Sequence, residues 1–365
     1  MEQTKINYKL EKNITFYCED IIEKQLIEPL YKKFKNNNYK TKITNDLSEK
    51  SEIGYYCSPS THIKKINSKF SIISLGGMDQ GKLFWPNFWK KEPWNKFDLG
   101  FLPGNYWCDM WQKSTWYSGA RPKIGVVITG WPKTQNIKYK NDNKNIFNNN
   151  KLNILYAPCF ENDNKGIEVM KSIEDLNVNL LVKHLPWNQP FERSHQKDIR
   201  ENIYKMITYL RNNHKGQYKI LNSRTNIFDI FNQANILITD ESSVIYESLL
   251  FDIPVISCDD WLMRSNNKNL PRLVKKNKDI CIYTKKSELN KKLLEIIKNY
   301  SDFQERIKNK KKNYFSNIEN SVDYIYEIIN EMVKSRIIKS CQIPKYKVNF
   351  FKSLYLNLNF YFKKN

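Results

Sequence analysis

The chain has 365 residues, of which 40% are hydrophobic and 14% aromatic, and a net charge of +22. That is too long for one ordinary small domain and too rich in apolar residues for global disorder, so two ordered domains are expected. A spanning helix is excluded by the lack of any run of 18 apolar residues, and residues 1–13 lack the apolar centre of a secretory leader. Seven cysteines without a CxxC pair argue against a disulfide scaffold or structural zinc and for a reducing compartment. The basic balance calls for a polyanionic neighbour: nucleic acid, an anionic membrane face or a phosphate-bearing substrate. The expectation is a soluble, cytoplasmic, two-domain protein.

In chain order, residues 14–18 read as a strand and 21–34 as an amphipathic helix. Strand-like runs recur at 39–44, 52–57, 70–75, 97–102 and 123–129. Apolar strands separated by helical periods mark an open α/β sheet. Residues 136–151 are Asn/Lys-rich and nearly free of apolar content, which marks a linker. The rhythm then restarts, with strands at 152–157, 178–183, 218–221, 236–239 and 254–257. Helices are expected at 166–176, over most of 190–213 and at 243–251, and the pattern beyond 285 is helical. The division drawn from this is an N-terminal Rossmann-like lobe over 1–135, the linker 136–151, a C-terminal Rossmann-like lobe over 152–340 and a basic aromatic tail over 341–365. Two such lobes would face each other across a cleft.

Charge is graded along the chain. Residues 261–365 carry 24 Lys/Arg against 9 Asp/Glu, and no acidic residue follows Glu331. In the tail Phe351, Leu354, Tyr355, Leu358 and Phe362 fall at helical spacing with lysines at both ends. That composition suits an interfacial segment on an anionic leaflet, or a helix docked on the N-terminal lobe. Ten of the aromatic residues from Phe84 to Tyr117 (Phe84, Trp85, Phe88, Trp89, Trp94, Tyr106, Trp107, Trp111, Trp116 and Tyr117) could line an acceptor groove or fill a core.

The sharpest local feature is the run from Ala234 to Ser257. A buried strand ends in Thr239-Asp240-Glu241-Ser242-Ser243, where Ser242 or Ser243 can cap the helix that follows. Free backbone N–H groups and the positive end of a helix dipole make an anion site, and in open α/β sheets ligands bind at such strand ends. The plainer reading is a capping turn and nothing more.

This run resembles the "TDYSS" element of the CDP-glycerol glycerophosphotransferase family, the teichoic-acid and poly(glycerol-phosphate) polymerases of GT-B fold. Thr129-Gly130-Trp131-Pro132-Lys133 is similar to that family's "TGYPR", Leu155-Tyr156-Ala157-Pro158 to its "YAPT", and Lys183-His184-Leu185-Pro186 to its "HP" strand end. Phe97-Asp98 through Pro103-Gly104 is similar to the segment before the first of these, and the likeness runs over roughly residues 65–260. It implies that Thr239, Asp240, Ser242 and Ser243, with Pro158, hold the phosphates of a CDP-linked donor. It also implies that His184 lies beside the diphosphate, donating to charge that develops on the transferred phosphoryl group or on departing CMP. Histidines 62, 195 and 214 read as surface groups.

The chain departs from the family pattern at several positions. Gly76 stands in the slot of the histidine proposed as the family's base, in a turn whose Gly76 and Gly77 allow close approach to a phosphate. Asp79 is the nearest carboxylate that could accept the hydroxyl proton, and it could equally be a turn residue. Lys133 replaces an arginine, Glu241 a tyrosine and Cys159 a threonine. The resemblance implies transfer of a glycerol-phosphate-type unit to a hydroxyl of a teichoic-acid-like or capsule-like cell-surface polymer, with release of CMP. No cofactor or metal beyond the nucleotide-activated donor is implied, and the pair Asp259-Asp260 is weak evidence for a cation. The partners expected are the donor, a polymer or lipid-linked acceptor and an anionic membrane surface on the inner face of the cell membrane. Nucleic acid is not expected, since lysines and aromatics fall largely in different regions. The alternatives are a GT-B glycosyltransferase using a nucleotide sugar and a non-catalytic member of the family.

Overall fold

The computed structural model describes residues 3–18, 21–57, 66–78, 93–137, 146–185, 196–263, 272–274 and 276–355. The chain divides into two units, one of residues 1–137 with 312–365 and one of residues 138–311.

The first unit contains β1 (Gln3–Lys5), β2 (Asn13–Tyr17), α1 (Ile21–Asn36), β3 (Lys40–Thr44), β4 (Ser51–Tyr56), β5 (Ser68–Ser74), β6 (Leu99–Leu102), α2 (Asn105–Gln112) and β7 (Gly125–Ile128). Its six-stranded sheet has the order β3-β2-β4-β5-β6-β7 and is parallel throughout. Strands β4 to β6 are buried over most of their length, as strands covered on both faces must be. Helix α1 turns Leu26, Leu30 and Phe34, spaced four apart, into the core.

The second unit contains β8 (Asn153–Tyr156), α3 (Lys165–Ile173), β9 (Asn179–Val182), α4 (Gln196–Asn213), β10 (Tyr218–Ile220), α5 (Ile227–Phe231), β11 (Ile236–Ile238), α6 (Val244–Glu247), β12 (Val255–Cys258), β13 (Leu262–Met263), β14 (Arg272–Leu273), β15 (Cys281–Thr284) and α7 (Leu289–Lys298). Its parallel sheet has the order β10-β9-β8-β11-β12-β15. Numbered within the unit, that order is 3-2-1-4-5-6, the Rossmann arrangement, and it reverses direction between β8 and β11. Every residue of β8, β9, β11 and β12 is buried. Each Ile, Leu or Val so placed stabilises by about 1.5–3 kcal/mol.

The last elements are α8 (Tyr300–Tyr314), α9 (Ser321–Ser335) and β16 (Ile337–Lys339). The sequence pattern drew the second lobe out to residue 340. Residues 312–340 instead belong to the first unit. Helix α9 buries Val322, Ile325, Ile329 and Met332 there, packs Tyr326 against Phe34 with ring centres 5.2 Å apart, and pairs Asp323 with Lys33. Strand β16 pairs antiparallel with β1. A helical period shows that a segment has an apolar face but not which core receives it.

The tail also lies with the first unit. The backbones of Gln342 and Val126 exchange hydrogen bonds of 2.7 and 3.0 Å, Gln112 binds Ile343 O and Lys345 N, and Asn349 N donates to Trp116 O. Lys352 Nζ sits 4.2 Å from the Trp116 ring centre. Phe350, Phe351 and Tyr355 remain exposed, while Leu358 and Phe362 lie outside the described residues. Among the described residues no helix is long and apolar enough to cross a membrane.

Candidate active site

Three neighbouring strands of the second unit carry the residues of interest. Tyr156 pairs with Val182 on one side and Ile238 on the other, so β9, β8 and β11 end level. At about 4.8 Å between strands, β9 and β11 stand roughly 10 Å apart across β8. His184, the loop from Pro158 to Glu161 and the turn Thr239–Ser243 therefore emerge together at the carboxyl edge, at the point where the strand order reverses. Ligands of doubly wound sheets bind in that crevice.

The turn after β11 divides into an inner and an outer half. Thr239 is fully buried and its hydroxyl donates to Ala157 O at 2.7 Å, so it is spent on joining β11 to β8. The Asp240 carboxylate is also fully buried. It accepts from Cys159 N at 2.8 Å and Phe160 N at 3.3 Å, and pairs at 2.7 Å with Lys165 Nζ, itself fully buried. The expectation that Thr239 and Asp240 touch donor phosphate thus gives way to an internal role: they tie the two loops flanking the switch point. A buried carboxylate with its oxygens so engaged has no reason to meet a phosphate, which it would repel. Ser242, 8% exposed, and the half-buried Ser243 form the outer half. Ser243 makes no side-chain cap, and the expected helix is one α turn, α6, continued by a 3-10 turn over Ser248–Phe251. One turn carries only a small dipole, so an anion here would rely on hydroxyls more than on a helix end.

Glu241 does not leave an uncompensated charge beside the serines. Arg272 on β14 binds both of its oxygens in a two-pronged pair, one bond measuring 2.9 Å, and this pair raises the guanidinium pKa.

His184 is 8% exposed and follows β9 by two residues. Its Nε2 lies 2.9 Å from Glu161 Oε2, and its ring meets that of Tyr156 edge to face with centres 6.1 Å apart. Glu161, 1% exposed, also takes the Tyr156 hydroxyl (2.9 and 3.2 Å) and Gly166 N (2.7 Å). Burial first, then the charge of Glu161, pushes the Tyr156 hydroxyl pKa well up, so it stays a donor. Sequence reasoning passed over both Glu161 and Lys165. Pro158 is buried at the end of β8, before the two amides that Asp240 holds.

The first-unit candidates lie at the carboxyl ends of β5 and β7. Gly76 follows β5, and a Cβ there would come within 2.9 Å of Cys57 O, whereas Gly77 has open space around the same position. Lys133 is buried, with its ammonium 5.2 Å from the Trp131 ring centre. The preceding Gly130 has φ +84°, and its Cβ would lie 2.5 Å from Ser316 O. Only glycine permits that turn against the segment leading into α9. Asp79, together with Phe84, Trp85, Phe88 and Trp89, lies outside the described residues, as do His62 and His195. Trp94, Trp107, Trp111 and Tyr117 are core residues.

His214 corrects a surface assignment: it is half-buried against Tyr218, and burial lowers its pKa. Asp259 is engaged by Lys276 and Lys285, and Asp260 accepts from Lys286 N at 3.0 Å. Among the described residues no group of three or more His, Cys, Asp or Glu could hold a metal ion.

Two parallel α/β sheets in one chain, the second with a polar strand-end site at its reversal point, define the GT-B class. The chain belongs to the CDP-glycerol:poly(glycerophosphate) glycerophosphotransferase family, whose model matches residues 92–331. Among solved structures it is similar to the wall teichoic acid polymerase TagF in a variant soaked with CDPG, at 16% identity over 91% of each chain and a TM-score of 0.53. It is also similar to S. aureus MnaA with UDP, at 15% identity over 93% of this chain and 100% of that one, with a TM-score of 0.60. A UDP-GlcNAc 2-epimerase from Neisseria meningitidis bound to UDP-GlcNAc is 12% identical over 87% of this chain and 100% of its own, also at 0.60. At these identities the likeness carries the fold. No curated protein sequence matches the chain.

Proposed function

We propose that the protein transfers a glycerol-phosphate-type unit from a CDP-activated donor to a hydroxyl of a teichoic-acid-like or capsule-like cell-surface polymer, releasing CMP. Family membership supports the reaction class. The observation that carries the reading is the convergence of His184, Ser242 and Ser243 on the level ends of β9 and β11, either side of β8. In this reading the acceptor oxygen attacks the donor's β-phosphorus in line, the bond to the bridging oxygen breaks, and CMP departs. Ser242 and Ser243 hold the diphosphate through their hydroxyls. His184 donates to the departing phosphate, and Asp79 takes the acceptor proton. Gly76, Gly77 and Lys133 are assigned as further phosphate-binding residues. The exposed Phe350, Phe351 and Tyr355, among lysines, rest on the anionic inner face of the cell membrane, where a lipid-linked acceptor would be found.

The test is nucleotide release by purified protein offered CDP-glycerol, CDP-ribitol and UDP-sugars in turn. CMP from a CDP-linked alditol is the expected result, and His184→Ala should lower kcat by about 10²–10⁴-fold. UDP release would favour the second reading, a GT-B glycosyltransferase, which the shared fold of two UDP-bound structures makes specific. Nucleotide binding with no turnover of any donor would mark a non-catalytic member.

A further inference from the structure

We propose that Glu161 is the positioning residue of His184: it accepts the Nε2 proton, fixes the ring's orientation and reserves Nδ1 for the donor phosphate. The inference rests on the functional reading above for its last clause alone, since the first two concern the protein without donor.

A carboxylate is an acceptor at both oxygens, so the ring nitrogen facing it at 2.9 Å must carry a hydrogen. Among the described residues no lysine or arginine pairs with Glu161, although its side chain is almost fully enclosed. Its compensation comes from three directed donors instead: the Tyr156 hydroxyl on β8, Gly166 N at the start of α3, and His184. Asn202 on α4 fixes the Glu161 carbonyl at 3.1 Å, so three elements besides its own loop hold the residue. Gly166 is required for this: a Cβ there would stand 2.8 Å from Glu161 Oε1 and 2.5 Å from Met206 Cγ. A carboxylate fastened this firmly holds the imidazole in one tautomer and one plane, and an imidazole so held reacts through its other nitrogen. When the ring is doubly protonated, the Nδ1 proton passes to the bridging oxygen of leaving CMP. The neutral ring that remains keeps Nε2–H on Glu161, and solvent restores the proton.

The experiment is a long-range ¹⁵N–¹H spectrum of the four histidine rings in the full chain without donor, with His184 assigned by its loss in His184→Asn. The expected pattern is a neutral ring protonated on Nε2. In Glu161→Gln the side-chain NH₂ can face Nε2 as a donor and drive the proton to Nδ1, so the pattern should invert. CMP release should then fall at least about 100-fold in kcat with KM within about threefold, and the melting temperature should change little. A native ring that lacks the Nε2 proton, or a Glu161→Gln protein with kcat unchanged, overturns the assignment. If that variant does not fold, the native spectrum decides. If the native chain releases nucleotide from no donor, the functional reading fails while the ring pattern still answers for Glu161.

Discussion

The two units present the same kind of edge, built in different currencies. In the second, the loops at the strand ends are tied by buried ionisable groups, Asp240 to Lys165 and Glu161 to His184. In the first, the strands flanking the reversal of order, β2 and β4, are joined by the stacked rings of Tyr17 and Tyr56, 4.3 Å apart and 3° from parallel. Close backbone approach at Gly76 and Gly130 completes that edge. Taking a charge out of water costs several kcal/mol unless its partners are well placed, whereas stacked rings and glycine turns carry no such cost. Buried charged ties placed at the strand ends of the second unit serve exact loop placement or chemistry.

That contrast can be broken most sharply at Lys165. Lys165→Met leaves Asp240 buried without its cation and should cost about 3–5 kcal/mol in urea unfolding. A change below 1 kcal/mol would mean that the charged tie is incidental. In the first unit the matching test is Gly130→Ala, which forces a Cβ onto Ser316 O at positive φ and should cost about 2 kcal/mol by calorimetry. Joint replacement of Ser242 and Ser243 by alanine should raise KM for CDP-glycerol about tenfold while leaving the melting temperature nearly unchanged. An unaltered KM would remove the outer half of the turn from the donor site. The smallest effect concerns pH. His214 is held neutral by burial, so its folded pKa lies below the unfolded value and the unfolded chain binds the extra proton first. Stability should therefore be full above about pH 6.5 and decline as pH falls through that value towards the folded pKa. His214→Gln should flatten this slope between pH 7 and 5, and an identical slope in both proteins would refute the account.

Much of this architecture was legible before any coordinates, because interior strands of parallel sheets are short apolar runs bounded by polar turns. The runs at 152–157, 178–183 and 236–239 became β8, β9 and β11 with their ends trimmed by a residue or two. Helix α2 was hidden inside the aromatic cluster, and β15 inside a lysine-flanked stretch, where neither period stands out. The site was legible as a motif but not as a division of labour. Nothing local separates Asp240, which is fully enclosed, from Ser242, which keeps a small exposed fraction. Glu161 meets His184, 23 positions later, only because β9 lies beside β8. The relief of Glu241 comes from Arg272, 31 positions later, on a strand with no periodic signature.

The assignment of residues 312–355 to the first unit sets an order of assembly during synthesis. The ribosome delivers β2 to β7 early, yet the helix that covers Phe34 and Tyr39, and the strand that pairs with β1, emerge only after the whole of the second unit. Domains generally mature from the amino terminus, and uncovered apolar surface invites aggregation while it waits. Here the first unit stays incomplete until the second has been made, so a nascent chain halted near residue 311 should be held by chaperones even though the second unit is already complete.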